Sequence, residues 1–253
     1  MFFTSHGKVY ELENIEVEES NRATKGKPVT KYIKLDDGER VLSMIDITDY
    51  IGDLFFVTKN GIVKRTSLDD FRNINSKGIR AITFKDGDEL VSVLRVTSDQ
   101  STVLISTKLG LSIRFGVDDV RTMGRNAAGV RGIRLREGDR VISSTILDND
   151  SGYILTITEN GYGKITEVNE YRKQSRDGLG IKNISELEKT GPIVGVSYVT
   201  GNEEIVVFTK DGASIKFKIS DIPSRGRVAQ GVKIIHLAES DCIADFAVLG
   251  GEE

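Results

Sequence analysis

The sequence holds very few of the residues that build disulfides, zinc sites and acid–base triads. Among 253 residues it has one cysteine, Cys242, and two histidines, His6 and His236. One cysteine cannot form an internal disulfide, and this low usage fits a reducing cytoplasm. Two histidines leave little material for a zinc site or a Ser-His-Asp triad. We therefore expect no catalytic residue and no metal site in this chain.

Long apolar runs and a basic leader are also missing. No stretch approaches the roughly 18 apolar residues of a membrane helix, so no membrane partner is expected. The start, MFFTSHGKVY, lacks the pattern of a signal peptide. No Walker-type phosphate loop is present. Only three prolines occur, and no long stretch has helical periodicity, which favours an all-β fold.

An excess of positive charge is absent as well. The formal net charge is −3 and the pI is about 5.6, whereas a domain that binds nucleic acid usually carries excess lysine and arginine. A surface for nucleic acid would therefore depend on where the charges lie and not on their total.

A five-fold internal repeat is what the sequence does contain. The tetrapeptide T-x-x-G occurs at 4–7, 58–61, 107–110, 158–161 and 209–212. A second glycine follows each one after 17 or 19 residues, and these second glycines are Gly26, Gly78, Gly129, Gly180 and Gly231. Five matches at two linked positions indicate a true repeat.

Each repeat predicts four short β-strands. An apolar strand precedes T-x-x-G, where Asn-Gly or Asp-Gly suits a tight hairpin turn in three repeats, and three further strands follow. A unit of about 50 residues is too small to bury its own core. We therefore predict one domain over residues 1–253, a propeller-like β-pinwheel of five to six four-stranded blades, with repeats at about 1–52, 53–101, 102–151, 152–202 and 203–253.

Basic residues recur at fixed places in the repeat. Four residues before the second glycine stand Arg22, Arg125, Arg176 and Arg227, with Ile74 as the exception. Two residues after it stand Arg80, Arg131, Lys182 and Lys233, while Lys25 and Lys27 flank Gly26 and Lys77 precedes Gly78. The second strand carries Arg65, Arg114, Lys164 and Lys216.

A position that repeats in every blade predicts a track of cations along one edge. Acidic residues crowd a different place, the turn between the third and fourth strands, as in Asp86-Gly87-Asp88. Affinity for DNA comes mainly from lysine and arginine that neutralise phosphates, and glycines beside them let the backbone come close. No aromatic residues interleave with the arginines, which favours duplex DNA over single strands. The plain alternative is a solvated sheet face.

Four segments resemble the C-terminal domain of the DNA gyrase A subunit. They are KNGIVKRTSLDDF (59–71), GRNAAGVRGIRL (124–135), ENGYGKIT (159–166) and GRVAQGVKIIHL (226–237). The resemblance implies a β-pinwheel, usually of six blades, that binds duplex DNA without sequence specificity and wraps it chirally. That wrap supports the ATP-dependent negative supercoiling of the whole bacterial enzyme, a type II topoisomerase.

The resemblance also implies partners and cofactors. The partners would be double-stranded DNA, the gyrase B subunit, and the rest of the gyrase A subunit; the isolated domain would be a monomer. ATP and Mg would belong to other parts of the enzyme, with no cofactor in this chain. The location would be cytoplasmic and associated with the nucleoid.

Family members carry a Gln-Arg-Arg-Gly-Gly-Lys-Gly box in the first blade. The nearest match here is 174–180, QSRDGLG, which keeps Gln174, Arg176 and two glycines but has Asp177 and Leu179 in place of a glycine and a lysine. We therefore expect the chain to be a fragment that lacks the box blade. The alternatives are the corresponding domain of topoisomerase IV, which binds DNA but wraps it poorly, and a propeller scaffold that binds proteins.

Overall fold

The computed structural model describes residues 1–17, 26–85, 87–238 and 240–250. The strands are β1 Phe2–Thr4, β2 Lys8–Tyr10, β3 Val41–Met44, β4 Asp53–Thr58, β5 Ile62–Ser67, β6 Ile79–Arg80, β7 Leu90–Val96, β8 Thr102–Thr107, β9 Leu111–Gly116, β10 Val130–Arg131, β11 Val141–Leu147, β12 Tyr153–Thr158, β13 Tyr162–Glu167, β14 Ile181–Lys182, β15 Ile193–Val199, β16 Glu204–Thr209, β17 Ser214–Lys218, β18 Val232–Lys233 and β19 Ile243–Leu249.

The helices are short. One α-helix, α1, covers Leu187–Thr190, and 3₁₀ turns cover Asn14–Glu16, Val29–Lys31, Leu68–Phe71, Val117–Asp119, Val168–Glu170 and Ile219–Asp221. Within the described part of the chain, no helix has the length and apolar character needed to cross a bilayer. The all-β fold class predicted from the sequence is therefore confirmed.

Each blade takes one strand from the repeat that follows it. The sheet orders are β3-β1-β2-β6, β7-β4-β5-β10, β11-β8-β9-β14 and β15-β12-β13-β18. The third strand of a repeat pairs with the second strand of the preceding one, so the strands of one repeat are divided between two blades. The fifth sheet, β19-β16-β17, has three strands among the described residues. Shared strands of this kind join successive repeats through backbone hydrogen bonds.

The T-x-x-G tetrapeptide forms the hairpin turn between the first two strands of every repeat. In each case the glycine N–H donates to the threonine carbonyl, at 3.0 to 3.2 Å. Only the glycine has a positive φ, between 71° and 90°, so this is a turn closed by a left-handed glycine. The tight hairpin turn predicted at Asn-Gly and Asp-Gly is present, and the glycine alone supplies the positive φ.

The acidic turn is bound to that hairpin. The Asp88 carboxylate accepts hydrogen bonds from the Thr58 hydroxyl at 2.5 Å and from the Asn60 N–H at 2.9 Å. Glu39 likewise accepts from the Thr4 hydroxyl at 2.5 Å. These carboxylates satisfy buried donors of the turn, which explains why an acidic residue recurs there.

The second glycine lets the chain lie against the preceding blade. At Gly231 φ is 82°, and a Cβ would come within 2.6 Å of the Gly163 carbonyl oxygen. Gly78, Gly129 and Gly180 share the positive φ and the close approach. Gly26 has neither, so the equivalence of Gly26 predicted from the sequence was wrong.

The cores lie between successive sheets. The chain separates into two compact units, residues 1–97 with 120–130, and residues 98–119 with 131–253; a single domain over 1–253 stays a prediction. In the first unit the ring of Phe3 in β1 packs edge-on against Phe56 in β4 at 5.6 Å, and Phe56 contacts Phe71 at 6.3 Å. In the second unit Leu104 and Ile154 belong to one shared buried cluster.

We expect Gly231→Ala to destabilise the chain by about 1–3 kcal/mol, because it combines a strained φ with a steric clash. Thermal unfolding followed by circular dichroism measures this effect. Gly124→Ala is the matched control, because nothing lies within 4 Å of its added Cβ and its φ is not positive. Equal melting temperatures for the two variants would contradict the packing role of the second glycine.

Candidate nucleic-acid interface

The basic loops lie along one edge of the preceding blade, the edge that the borrowed strand forms. One such loop runs beside β9. Lys173 forms a parallel bridge with Arg114 of β9, and the Gln174 N–H donates to the Arg114 carbonyl at 2.9 Å. The chain then turns back, and Lys182 pairs antiparallel with Leu111. We call residues 173–182, and the equivalent 122–131 and 224–233, the edge segments.

The same path recurs in the other edge segments. On β13, Ser224 bridges Ile165 in parallel and Lys233 pairs with Tyr162. On β5, Thr122 bridges Arg65. The residues four before and two after Gly129, Gly180 and Gly231 therefore share one short segment at the blade edge, because a left-handed glycine reverses the chain between them.

Two guanidinium groups join consecutive repeats of the second unit. Nη1 of Arg176 donates to the carbonyl of Arg131 at 3.1 Å, and Nη1 of Arg227 donates to the carbonyl of Lys182. Both contacts span 45 residues. The arginine of one edge segment is thus in contact with the basic residue of the segment before it, so the cations of successive repeats are neighbours.

The structure sorts the candidate DNA-binding residues predicted from the sequence into three groups. The exposed residues are Lys27, Lys77, Arg80, Arg131, Lys182, Lys216 and Lys233. The half-buried residues are Arg65, Arg125, Gln174, Arg176 and Arg227. Arg114 and Lys164 are buried, and Arg22 and Lys25 lie outside the described residues. Lys77, Arg80, Arg125, Lys182 and Lys233 form no ion pair with any described carboxylate.

Three of the second-strand cations are paired with carboxylates of their own repeat. Arg65 binds Asp53 at 2.5 Å, Arg114 binds Asp150 at 2.5 Å, and Lys216 binds Glu204. Arg114 is only 3% exposed and also donates to the Thr102 hydroxyl at 2.8 Å. These contacts hold strands together, so we remove Arg114 from the interface and rank the other two below the edge segments.

Residues 174–180, the nearest match to the family's box, contain a carboxylate that lies among arginines. Asp177, with φ 63°, lies 3.0 Å from Nε of Arg134 and 3.7 Å from Nη1 of Arg131. The Arg134 guanidinium, with Arg131 and Arg176 nearby, holds the pKa of the Asp177 carboxyl below its usual range. This aspartate therefore stays ionised and offsets part of the positive charge at its edge segment.

Lys164 is fully buried, with its Nζ bonded to backbone carbonyls. It cannot reach a ligand at the surface, so we also remove it from the interface. Lys64 is buried in the same way and was not singled out from the sequence, although each lysine stands six residues after the threonine of its T-x-x-G. Arg134 was also missed, because its partner Asp177 has no counterpart in the other repeats.

The acidic turns lie at the T-x-x-G hairpins. The Asp88 carboxylate binds the 58–61 turn, and the Asp139 carboxylate accepts a hydrogen bond from the Leu109 N–H. Asp88 also lines a pocket together with Ala128 and Gly129 of an edge segment, so this acidic turn and this edge segment are neighbours. Asp86, which was expected in one of these turns from the sequence, lies outside the described residues.

One cluster among the described residues consists of side chains of the types that bind metal ions. Ligand atoms of His6, Asp36 and Glu39 lie within 4.8 Å of one another. The Glu39 oxygens accept hydrogen bonds from Thr4, Tyr10 and the Asp36 N–H, and Asp36 binds Lys8. Protein donors therefore account for these carboxylates.

The family comparison matches this geometry. A family model described as "DNA gyrase C-terminal domain, beta-propeller" matches residues 1–48, 52–97, 101–148, 152–200 and 203–249. The chain belongs to the DNA gyrase C-terminal domain family. The propeller-like fold class and the resemblance noted in the sequence are thereby confirmed.

Relatives of this gyrase C-terminal domain are much longer proteins. The DNA gyrase A subunit of Thermotoga maritima is 47% identical over 251 residues, which cover 98% of this chain and 31% of that protein. Its counterpart in Staphylococcus epidermidis is 42% identical over 257 residues, covering 100% and 29%. The chain thus spans about a third of the length of the curated relatives it matches.

Solved structures share the fold. A DNA gyrase A C-terminal domain superposes with a TM-score of 0.83 at 25% identity, covering 98% of this chain and 81% of the other. A C-terminal domain of DNA topoisomerase IV superposes with a TM-score of 0.89 at 25% identity, covering 98% and 77%.

Proposed function

We propose that this gyrase C-terminal domain binds duplex DNA without sequence specificity and wraps it chirally along its edge segments. The observation that carries the proposal is the contact of Arg176 with the Arg131 backbone and of Arg227 with the Lys182 backbone. These contacts place a half-buried arginine of one repeat beside an exposed cation of the repeat before it, and a phosphate backbone could bind along such a row.

The number of lysines and arginines that carry no ion pair is adequate for bending DNA. Smooth bending of a 20–30 bp site costs of order 1–6 kcal/mol. The exposed and half-buried edge cations that carry no ion pair offer several phosphate contacts, and each one releases condensed counterions. The net charge of −3 is compatible with this use, because carboxylates of the acidic turns are engaged by donors of the T-x-x-G turns, whereas Lys182 and Lys233 form no ion pair with a described carboxylate.

The chain would act as one part of a larger enzyme. We propose that it supports ATP-dependent negative supercoiling by a bacterial type II topoisomerase while contributing no catalytic residue, metal ligand or cofactor site. Its partners would be double-stranded DNA, the gyrase B subunit, and the rest of the gyrase A subunit, in the cytoplasm at the nucleoid. The isolated chain would be monomeric. The relatives that are DNA gyrase A subunits support this role.

The related domain of topoisomerase IV is the second candidate. Its solved C-terminal domain superposes with a slightly higher TM-score, 0.89 against 0.83. The two functions differ in wrapping and not in binding, so the topology of the bound DNA separates them.

We expect Lys182→Ala and Lys233→Ala each to flatten the slope of log K against log salt by about 0.9, because each removes one phosphate contact. Fluorescence anisotropy with a 30 bp duplex at several salt concentrations measures this slope. Lys210→Ala is the matched control, since Lys210 is exposed but lies on a T-x-x-G turn. Unchanged slopes in both edge variants would overturn the assignment of the edge segments.

Asp177→Asn should strengthen binding and steepen the salt slope by about 0.9, because it frees a guanidinium for phosphate. Asparagine tolerates the positive φ of this position, so the loop shape is kept. Asp37→Asn, an equal charge change in an exposed acidic turn, is the control in the same anisotropy assay. If both aspartate variants bind DNA equally well, Asp177 does not compete with phosphate.

Wrapping has its own test. Nicked circular plasmid is ligated in the presence of the chain, and the linking number of the product is measured on gels. A shift toward positive linking number is expected for a chiral wrap. Binding without a shift would exclude the gyrase-type wrap and favour the topoisomerase IV function.

A further inference from the structure

Two fully buried lysines lie at one repeat position. Lys64 in β5 and Lys164 in β13 have no exposed surface, and each follows its T-x-x-G threonine by six residues. The third repeat carries buried Ile113 at this place. The strand position therefore accepts an apolar residue, and the blade does not need a lysine there to fold.

Both ammonium groups make the same set of contacts. Nζ of Lys64 donates to the carbonyls of Ala81 and Arg125. Nζ of Lys164 donates to the carbonyls of Asn183 at 2.7 Å, of Gly226 at 3.2 Å, and of Arg227. Ala81 and Asn183 each stand three residues after a second glycine, and Arg125 and Arg227 each stand four before the next one.

Each lysine thus ties the arginine of an edge segment to the interior. The carbonyl that receives the hydrogen bond belongs to the same residue whose guanidinium lies at the blade edge. A charge-assisted hydrogen bond in a buried place is stronger than a neutral one, so it restricts the loop backbone. In the third repeat Ile113 replaces the lysine, and the Arg176 guanidinium binds the carbonyls of Asp119 and Arg131, much as the Arg227 guanidinium binds the carbonyl of Lys182.

We propose that Lys64 and Lys164 are positioning residues for DNA binding, which hold the backbones of Arg125 and Arg227 so that both guanidinium groups face phosphate. This inference rests on the proposed function. Neither lysine touches DNA, because neither reaches the surface. Their role is to reduce the conformational freedom that the arginine loops would otherwise lose on binding.

The protonation state of these lysines links DNA binding to pH. Burial lowers the pKa of each lysine to about 7. The charged groups that face Lys64 are Asp70, which raises its pKa, and Arg125, which lowers it. The Phe56 ring also lies 5.1 Å from its Nζ. Lys64 is therefore charged below pH 7 and increasingly neutral above it.

Lys164 follows the same rule, with Glu170 raising and Arg227 lowering its pKa. Phosphates bound at the adjacent arginines favour the ammonium form, so binding takes up protons where the free lysines are partly neutral. Affinity for DNA should fall as pH rises through 7, because the neutral amine holds the carbonyls less firmly.

The stability of the fold responds to pH in the opposite direction. Because the folded pKa lies below the ordinary lysine value of 10.5, the unfolded chain binds more protons between about pH 7 and 10.5. Stability therefore rises with pH in that window. A merely structural lysine would change unfolding alone, whereas a positioning lysine changes DNA affinity in the opposite sense.

The test compares this chain with Lys64→Met, Lys164→Met and the double variant. Anisotropy with a 30 bp duplex is measured at pH 6.5 and pH 8.5 at one salt concentration. The double variant should bind about tenfold more weakly than the unmodified chain at pH 6.5, which is about 1.4 kcal/mol, and its affinity should no longer fall at pH 8.5. Ile113→Met is the matched control at the equivalent position and should bind as the unmodified chain does.

A second measurement needs no variant. Calorimetry of DNA binding at pH 7.5, in two buffers of different ionisation enthalpy, should report net proton uptake. Zero uptake, or folded methionine variants with unchanged affinity and pH profile, would overturn the inference. Lys182→Ala distinguishes failure of this inference from failure of the proposed function. If that variant has a flattened salt slope while the methionine variants bind DNA unchanged, only the positioning role of Lys64 and Lys164 is wrong. Absence of DNA binding by the unmodified chain would overturn the proposed function as well.

Discussion

The backbone contact between an edge segment and the second strand of the preceding blade is the constraint on which the rest depends. It needs a left-handed glycine, because at Gly180 and Gly231 any Cβ would meet a carbonyl oxygen at 2.6 Å. The same contact completes the sheet with a borrowed strand and brings the arginine and the lysine of one repeat to the same edge. Architecture and interface therefore share a single cause.

Hydrogen bonds and ion pairs engage many of the carboxylates, which is how a chain of net charge −3 can present cations. The acidic residues in the turns before the fourth strands would be expected to oppose DNA binding. Glu39 and Asp88 have a structural role, since they accept hydrogen bonds from donors of the T-x-x-G turns. Other carboxylates reduce the positive surface. Asp53, Asp150 and Glu204 pair with second-strand cations, whereas Arg125, Lys182 and Lys233 of the edge segments form no ion pair with a described carboxylate.

Burying the ammonium groups of Lys64 and Lys164 costs stability, and the fold itself does not require charged residues at these positions. Ile113 fills the equivalent place with no charge to bury, so the ammonium groups of Lys64 and Lys164 are better explained by what they hold than by packing. Burying a charge is unfavourable unless it is hydrogen-bonded, and here backbone carbonyls supply the bonds. Stability is thus exchanged for order in the arginine loops, a trade often found at functional sites.

The sequence by itself determined the repeat, the all-β class, the T-x-x-G turns and the recurrence of basic residues, because periodic patterns report local geometry directly. Only the tertiary structure decided which blade each third strand joins, since that pairing depends on contacts between repeats. It also decided which cations are available: Arg114 and Lys164 look like their neighbours in sequence, but burial and partners remove them from the surface. The effect of Asp177 was also decided by the tertiary structure, because its ion pairs with Arg131 and Arg134 form only where the chain folds back.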